Sequence, residues 1–192
     1  MSNLEIFAVL VSVIGVGLTI LRHMWCWWFN LLAYILYGYL FFEYKLYGEV
    51  ILQFIFLIMN FYGFYFWLKT KQEQQDIRIE HLAINHLVLQ VILAELFGLL
   101  FGFTLKTFTN AAVPMLDAQL AAFSLLATYW TSRKYIATWP LWVIVDIIYV
   151  GMFMYKDLYL TAGLYAAFVI MALYGWKKWK AVKASQSNEV LL

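Results

Sequence analysis

Asp146 lies midway along an apolar stretch, and the residues around it recur at helical spacing: Trp139-Pro-Leu-Trp142-Val-Ile-Val-Asp146, with Tyr149 next on the stripe. On a helix these side chains share one face, because residues three and four apart are neighbours. Indoles, a phenol and a carboxylate in one stripe suit a cationic aromatic ligand. Ring faces attract a cation by about 0.5–2 kcal/mol, and the carboxylate adds a full opposite charge where little water screens it. Trp27, Asn30, Tyr34 and Tyr37 repeat the same spacing on another apolar stretch. On a third, Gln53 and Asn60 stand two turns apart and project the same way. Such amides suit a ligand that both donates and accepts hydrogen bonds. The candidates for substrate contact are therefore Trp27, Asn30, Tyr34, Gln53, Asn60, Trp139, Trp142, Asp146 and Tyr149. Two plainer roles compete with this one. Tryptophan and tyrosine also favour membrane boundaries, and Gln53 and Asn60 also suit interhelical hydrogen bonds, worth roughly 0.6 kcal/mol each.

The elements that must hold these residues are membrane helices. The chain is 65% hydrophobic, 20% aromatic and only 12% charged, against about a quarter charged in soluble domains. Seven stretches approach the roughly 20 residues that cross a bilayer: 5–22, 24–43, 48–68, 85–103, 113–132, 138–155 and 158–177. Between them lie short turns, a polar loop around Thr70–Ile84 and a tail from Lys180, with no room for a soluble domain. Asp146 and Glu95 are the ionisable residues near the middle of a span. A carboxylate at that depth costs roughly 2.5–3.5 kcal/mol on insertion scales, which makes both functional candidates, Asp146 the stronger.

The spans are organised as a repeat. With an offset of 112 positions and no gap, Arg22–Trp67 aligns with Lys134–Trp179. Matches include Trp27/Trp139, Tyr37/Tyr149, Phe41/Phe153, Leu46/Leu158, Phe56/Phe168, Tyr62/Tyr174, Gly63/Gly175 and Trp67/Trp179. Gly63 and Gly175 are expected to allow close helix approach. Repeated bundles point to a transporter, in which two halves rock about a site between them.

The expected fold is an all-α membrane protein with seven transmembrane helices in a three-one-three arrangement. An odd-numbered bundle leaves the chain on the far side, so one extra crossing is needed before a parallel copy begins. The division is a first bundle at 1–69, a loop and connector helix at 70–112, a second bundle at 113–179 and a tail at 180–192. Ten of the thirteen cations fall on one side: Arg22, Lys69, Lys71, Arg78, Arg133, Lys134, Lys177, Lys178, Lys180 and Lys183. Lys45, Lys106 and Lys156 fall on the other. By the positive-inside rule the amino terminus is expected outside and the carboxyl terminus in the cytoplasm.

Other functions lack their residues. Lys156 and Lys177 flank the last span rather than sitting within it, so a retinal Schiff base has no site. His23, His81 and His86 match no zinc motif. No nucleotide-binding glycine loop appears, nor the charged rings or carbonyl loop of a channel filter. The lone Cys26 forms no internal disulfide, and the net charge of +2 gives no reason to expect nucleic acid. No enzyme activity, metal or cofactor is expected.

Three motifs carry a family resemblance: Gln53-x6-Asn60-x-Tyr62-Gly63-x-Tyr65-x-Trp67, Thr131-Ser-Arg-Lys-Tyr135, and Trp139-x2-Trp142-x3-Asp146. Together they resemble the PnuC family of bacterial vitamin transporters, over about Glu5 to Trp179. The resemblance implies a fold akin to the sugar-carrying SWEET transporters, a homotrimer in the lipid of the bacterial inner membrane, and facilitated uptake of nicotinamide riboside. It also implies trapping of that vitamin by cytoplasmic phosphorylation. It places Gln53, Asn60, Trp139 and Trp142 at the substrate. The chain departs from the pattern at Asp146, where members often carry Asn. A small cationic nucleoside or vitamin is the expected partner, with thiamine the alternative to nicotinamide riboside, and a channel the more distant one.

Overall fold

The computed structural model describes residues 3–43, 47–72, 78–108, 113–155 and 159–189. Lys45, Leu46, Lys156 and Leu158, used above, lie outside the described residues. Seven helices account for most of what is described: α1 Asn3–Ile20, α2 Cys26–Glu43, α3 Tyr47–Gln72, α4 Ile84–Phe108, α5 Pro114–Ser132, α6 Thr138–Tyr155 and α7 Tyr159–Glu189. Pro114 and Pro140 both fall in a first turn, where proline's missing N–H leaves no intrahelical bond unmade.

The polarity is that of a protein in lipid. On α3, Ile51, Phe54, Ile58, Phe61 and Tyr65 form an exposed stripe, while Asn60 and Trp67 are buried on the other side. α4 exposes Val88, Leu89, Ile92, Leu93, Leu96, Phe97, Leu100 and Phe103. Helices Val50–Thr70, Ile84–Phe108 and Thr138–Tyr155 are long and apolar enough to cross a membrane.

Six helices pack in a closed circuit: α1 on α2, α2 on α3, α3 on α5, α5 on α6, α6 on α7, and α7 back on α1. Among the described helices α4 packs only on α5. The three-one-three expectation therefore corresponds to a six-helix ring with α4 outside it. α4 docks through glycines. A Cβ at Gly98 would meet Cδ of Gln119 at 2.8 Å, and one at Gly102 would meet Sδ of Met115 at 2.8 Å. Gln119 Nε2 donates to Glu95 (3.1 Å) and Trp130 Nε1 to Gln90 (2.6 Å). Glu95 is thus engaged at this helix contact.

The repeat reaches further back than the sequence comparison took it. Both α1 and α5 end in the same turn. Arg22 (φ 56°) and Lys134 (φ 62°) adopt the left-handed conformation. Arg22 N donates to Thr19 O and His23 N to Leu18 O, and Lys134 N to Thr131 O and Tyr135 N to Trp130 O, all at 2.9–3.0 Å. This is a Schellman closure with a cation where glycine is usual. A non-glycine residue there costs about 1–2 kcal/mol, and its positive charge at the helix carboxyl end offsets part of that.

Two stretches differ from expectation. The segment after Lys180, expected as a tail, continues α7 to Glu189, and the polar loop begins only after α3 ends at Gln72. The extension of α7 has a partner that sequence does not reveal, Ile79. Lys183 Nζ donates to Ile79 O (3.0 Å), and Ile79 N donates to Gln186 Oε1 (3.1 Å).

Candidate functional site

The tryptophans that open α2 and α6 sit over glycines of the next helix. Trp27 meets Trp67 edge-on at 5.3 Å and 88°, and Trp139 meets Trp179 at 5.3 Å and 85°. A Cβ on Gly175 would come within 2.6–2.8 Å of the Trp139 ring. One on Gly63 would run into the Trp27 ring and lie 2.6 Å from Ser132 Oγ. The deeper tryptophans then reach across to the other half of the ring. Trp67 Nε1 donates to Thr131 O (3.4 Å) and Trp179 Nε1 to Ile20 O (3.2 Å). Trp27 and Trp139 are therefore held in packing joints, although the indole nitrogen of each is buried without a partner.

Deeper along the stripes the two halves diverge. Asp146, the midpoint of α6, is only 4% exposed, and no described residue forms a hydrogen bond or ion pair with it. A buried carboxylate without a countercharge is costly. One turn away Trp142 is half-buried, packed against the tryptophan-joint core and against the cluster of Leu120, Val145 and Met152. One turn the other way, Tyr149 lies 4.7 Å from Tyr165 and 5.7 Å from Phe153. Tyr165 is the repeat counterpart of Gln53. Reading the repeat for its differences as well as its matches would have singled it out.

In the first half, Tyr34 stacks on Phe56 at 5.5 Å and 17°. Asn60, 2% exposed, donates from Nδ2 to Trp27 O (2.9 Å) while its Oδ1 stays buried and unpartnered. Asn30 is half-buried with its side-chain carbonyl against Gly15. Gln53 is half-buried beside Gly38, whose added Cβ would lie 3.7 Å from that of Gln53. The contacts thus tie Asn60 to Trp27, and Tyr149 to its aromatic neighbours. None joins the amides of α3 directly to Asp146. An open apolar groove between α1 and α7, lined by Ile14, Gly17, Leu18, Ile170, Met171 and Tyr174, shares no residue with this constellation.

The described contacts leave amides on one half and a carboxylate with aromatic rings on the other. The sequence pattern of nicotinamide mononucleotide transporters matches residues 2–181. The chain belongs to that family. As a member of the nicotinamide mononucleotide transporter family it is a multi-pass membrane protein. It is similar to the nicotinamide riboside transporter PnuC of Escherichia coli K12, with 26% identity over 93% of this chain and 85% of that one. The protein of the same name from Neisseria mucosa is also 26% identical, over 84% of this chain and 65% of its own length. A crystal structure of the vitamin B3 transporter PnuC superimposes with a TM-score of 0.77 at 21% identity, over 93% of this chain and 80% of that one. The family fold is therefore the seven-helix fold described above.

Proposed function

We propose that this member of the family imports nicotinamide riboside by facilitated diffusion, with alternating access of a site near mid-membrane. The observation that carries the reading is Asp146, buried at the midpoint of α6 without a partner among the described residues and flanked by Trp142 and Tyr149. A pyridinium ring offers the fixed positive charge and flat face that this setting lacks. Asn30, Gln53 and Asn60 supply amides for the ribose hydroxyls and carboxamide. Trp27, Trp139 and Tyr34 then border the site, Trp27 and Trp139 from their joints with Gly63 and Gly175. Thiamine carries the same kind of charge on an aromatic ring and is the second reading.

Two carboxylates are the only ionisable groups near mid-membrane, which leaves a proton relay few carriers. Uptake is then downhill and is completed by cytoplasmic phosphorylation of the vitamin. The ten cations grouped at one end support a cytoplasmic carboxyl terminus and an external amino terminus in the bacterial inner membrane. A homotrimer in lipid is the assembly we infer.

Calorimetry on purified protein tests the site, with nicotinamide riboside, thiamine and a neutral ring analogue. Nicotinamide riboside should bind tightest. Asp146→Asn should weaken both cations by about tenfold or more, equivalent to about 1.4 kcal/mol, and spare the neutral analogue. Equal loss for all three would make Asp146 a packing residue. In reconstituted vesicles uptake should stop at the external concentration; accumulation beyond it under a proton or sodium gradient would overturn the downhill mechanism.

A further inference from the structure

The segment after α3 is built into the cation-rich end of the ring. Ile79 is 3% exposed and belongs to the buried cluster that contains Trp67 and Trp179, the two tryptophans related by the repeat. Its backbone is held on both sides by α7, through Lys183 and Gln186. The next residue forms a parallel bridge with the α5–α6 turn: Glu80 N donates to Lys134 O and Ile136 N donates to Glu80 O, both at 3.0 Å. Lys134 Nζ in turn donates to Thr70 Oγ1 near the end of α3 (2.7 Å).

Among the described residues this strap has no counterpart in the repeat. The α1–α2 turn has the backbone of the α5–α6 turn, yet among the described residues no segment pairs with it. The strap follows the first bundle in the chain, and among the described residues its hydrogen bonds go to the second. Ile79 is buried where the residues of both tryptophan joints pack together. Rocking of the halves changes the spacing between those joints, because Trp67 bonds to Thr131 and Trp179 to Ile20 across the boundary. An element fastened to one half and wedged beside both joints has to release or travel when that spacing changes.

We propose that the strap 78–83 is the gate on the cation-rich side, with Ile79 as its plug, and that the described conformation is closed at that end. Substrate leaves toward that side only after Ile79 withdraws and the Glu80–Tyr135 bridge parts. The proposal rests on the transport reading above and adds the element that controls exit.

The test locks the strap. Bridge partners lie within reach of a disulfide, so Glu80→Cys with Tyr135→Cys places a reversible lock across the gate without touching the proposed site. Purified protein is oxidised, and nicotinamide riboside is followed by calorimetry and by vesicle uptake. With the lock closed, affinity should change less than about twofold while uptake falls by about tenfold or more, and a reductant should restore it, as expected where a lid limits turnover. Undiminished uptake with the lock closed would overturn the gate. Loss of binding together with uptake would make the strap part of the site instead, and would also overturn it. Wild-type protein that neither binds nor carries the compound would remove the transport reading itself.

Loosening the strap gives an independent reading. In Ile79→Ala and Lys183→Ala, the native Cys26, 1% exposed in the same cluster, should react with a membrane-impermeant maleimide about tenfold faster than in wild type, as local opening becomes more frequent. Unchanged labelling in both variants would mean that Ile79 blocks nothing.

Discussion

In the first bundle Trp27 stands edge-on to Trp67 above Gly63; in the second Trp139 stands edge-on to Trp179 above Gly175. The turns leading into these helices share their left-handed residue and their hydrogen bonds. Toward mid-membrane the likeness is partial: the stacked pair Tyr37–Phe41 recurs as Tyr149–Phe153, but four candidate positions differ. Asn30 is replaced by Trp142, Tyr34 by Asp146, Gln53 by Tyr165 and Asn60 by Ala172. The difference separates two demands on the same helices. Close packing admits few shapes, so an indole over a glycine recurs wherever helices meet at that distance. A ligand with a charged ring at one end and hydroxyls at the other has no twofold axis, so walls that fit it must differ.

The hardest way to break the likeness is to fill the glycines. Gly63→Leu and Gly175→Leu drive side chains into indole rings that are themselves packed. Overpacking usually costs 1–3 kcal/mol, and here we expect about 3 kcal/mol or more. Gly63→Leu should be the worse of the two, since Ser132 of the other bundle closes the same space. Thermal unfolding in detergent measures this, and wild-type midpoints in both variants would remove the glycines as packing points.

Two tryptophans on the α6 stripe sharpen the contrast. Trp139→Ala should destabilise by about 3–5 kcal/mol, as expected for emptying a buried aromatic position. Trp142→Ala, at a half-buried position, should destabilise less than Trp139→Ala yet bind nicotinamide riboside about tenfold more weakly, losing one face of the cation's cage. If Trp142→Ala instead loses stability as Trp139→Ala does, the division of the stripe between packing and binding fails.

The mildest change makes the bundles more alike. Asn60→Ala installs the residue found at the matching position, Ala172, and deletes the bond from Nδ2 to Trp27 O. A loss of about 0.6 kcal/mol is expected for one interhelical hydrogen bond. The chemical asymmetry between the halves should then show in affinity rather than in melting temperature. Full affinity for nicotinamide riboside in Asn60→Ala would confine Asn60 to its bond with Trp27.

The seven helices, the repeat and the closeness demanded by Gly63 and Gly175 are legible in the sequence. These follow from composition, from period and from a fixed offset, all of which are local or self-referential properties of the chain. The sequence also marked Asp146, because a carboxylate amid apolar residues is conspicuous without any contact being known. What folding alone settles is how deeply members of one stripe pack: Trp139, one turn from half-buried Trp142, is buried by Gly175 and Trp179, 36 and 40 residues further along. The same holds for Glu95, engaged by Gln119 of another helix. It holds as well for residues 180–189, which continue as helix where the strap at Ile79 meets Lys183 and Gln186. Polarity and spacing say where a side chain can point. Whether it meets a partner there depends on segments far away in the chain, and that is fixed only when the helices close into a ring.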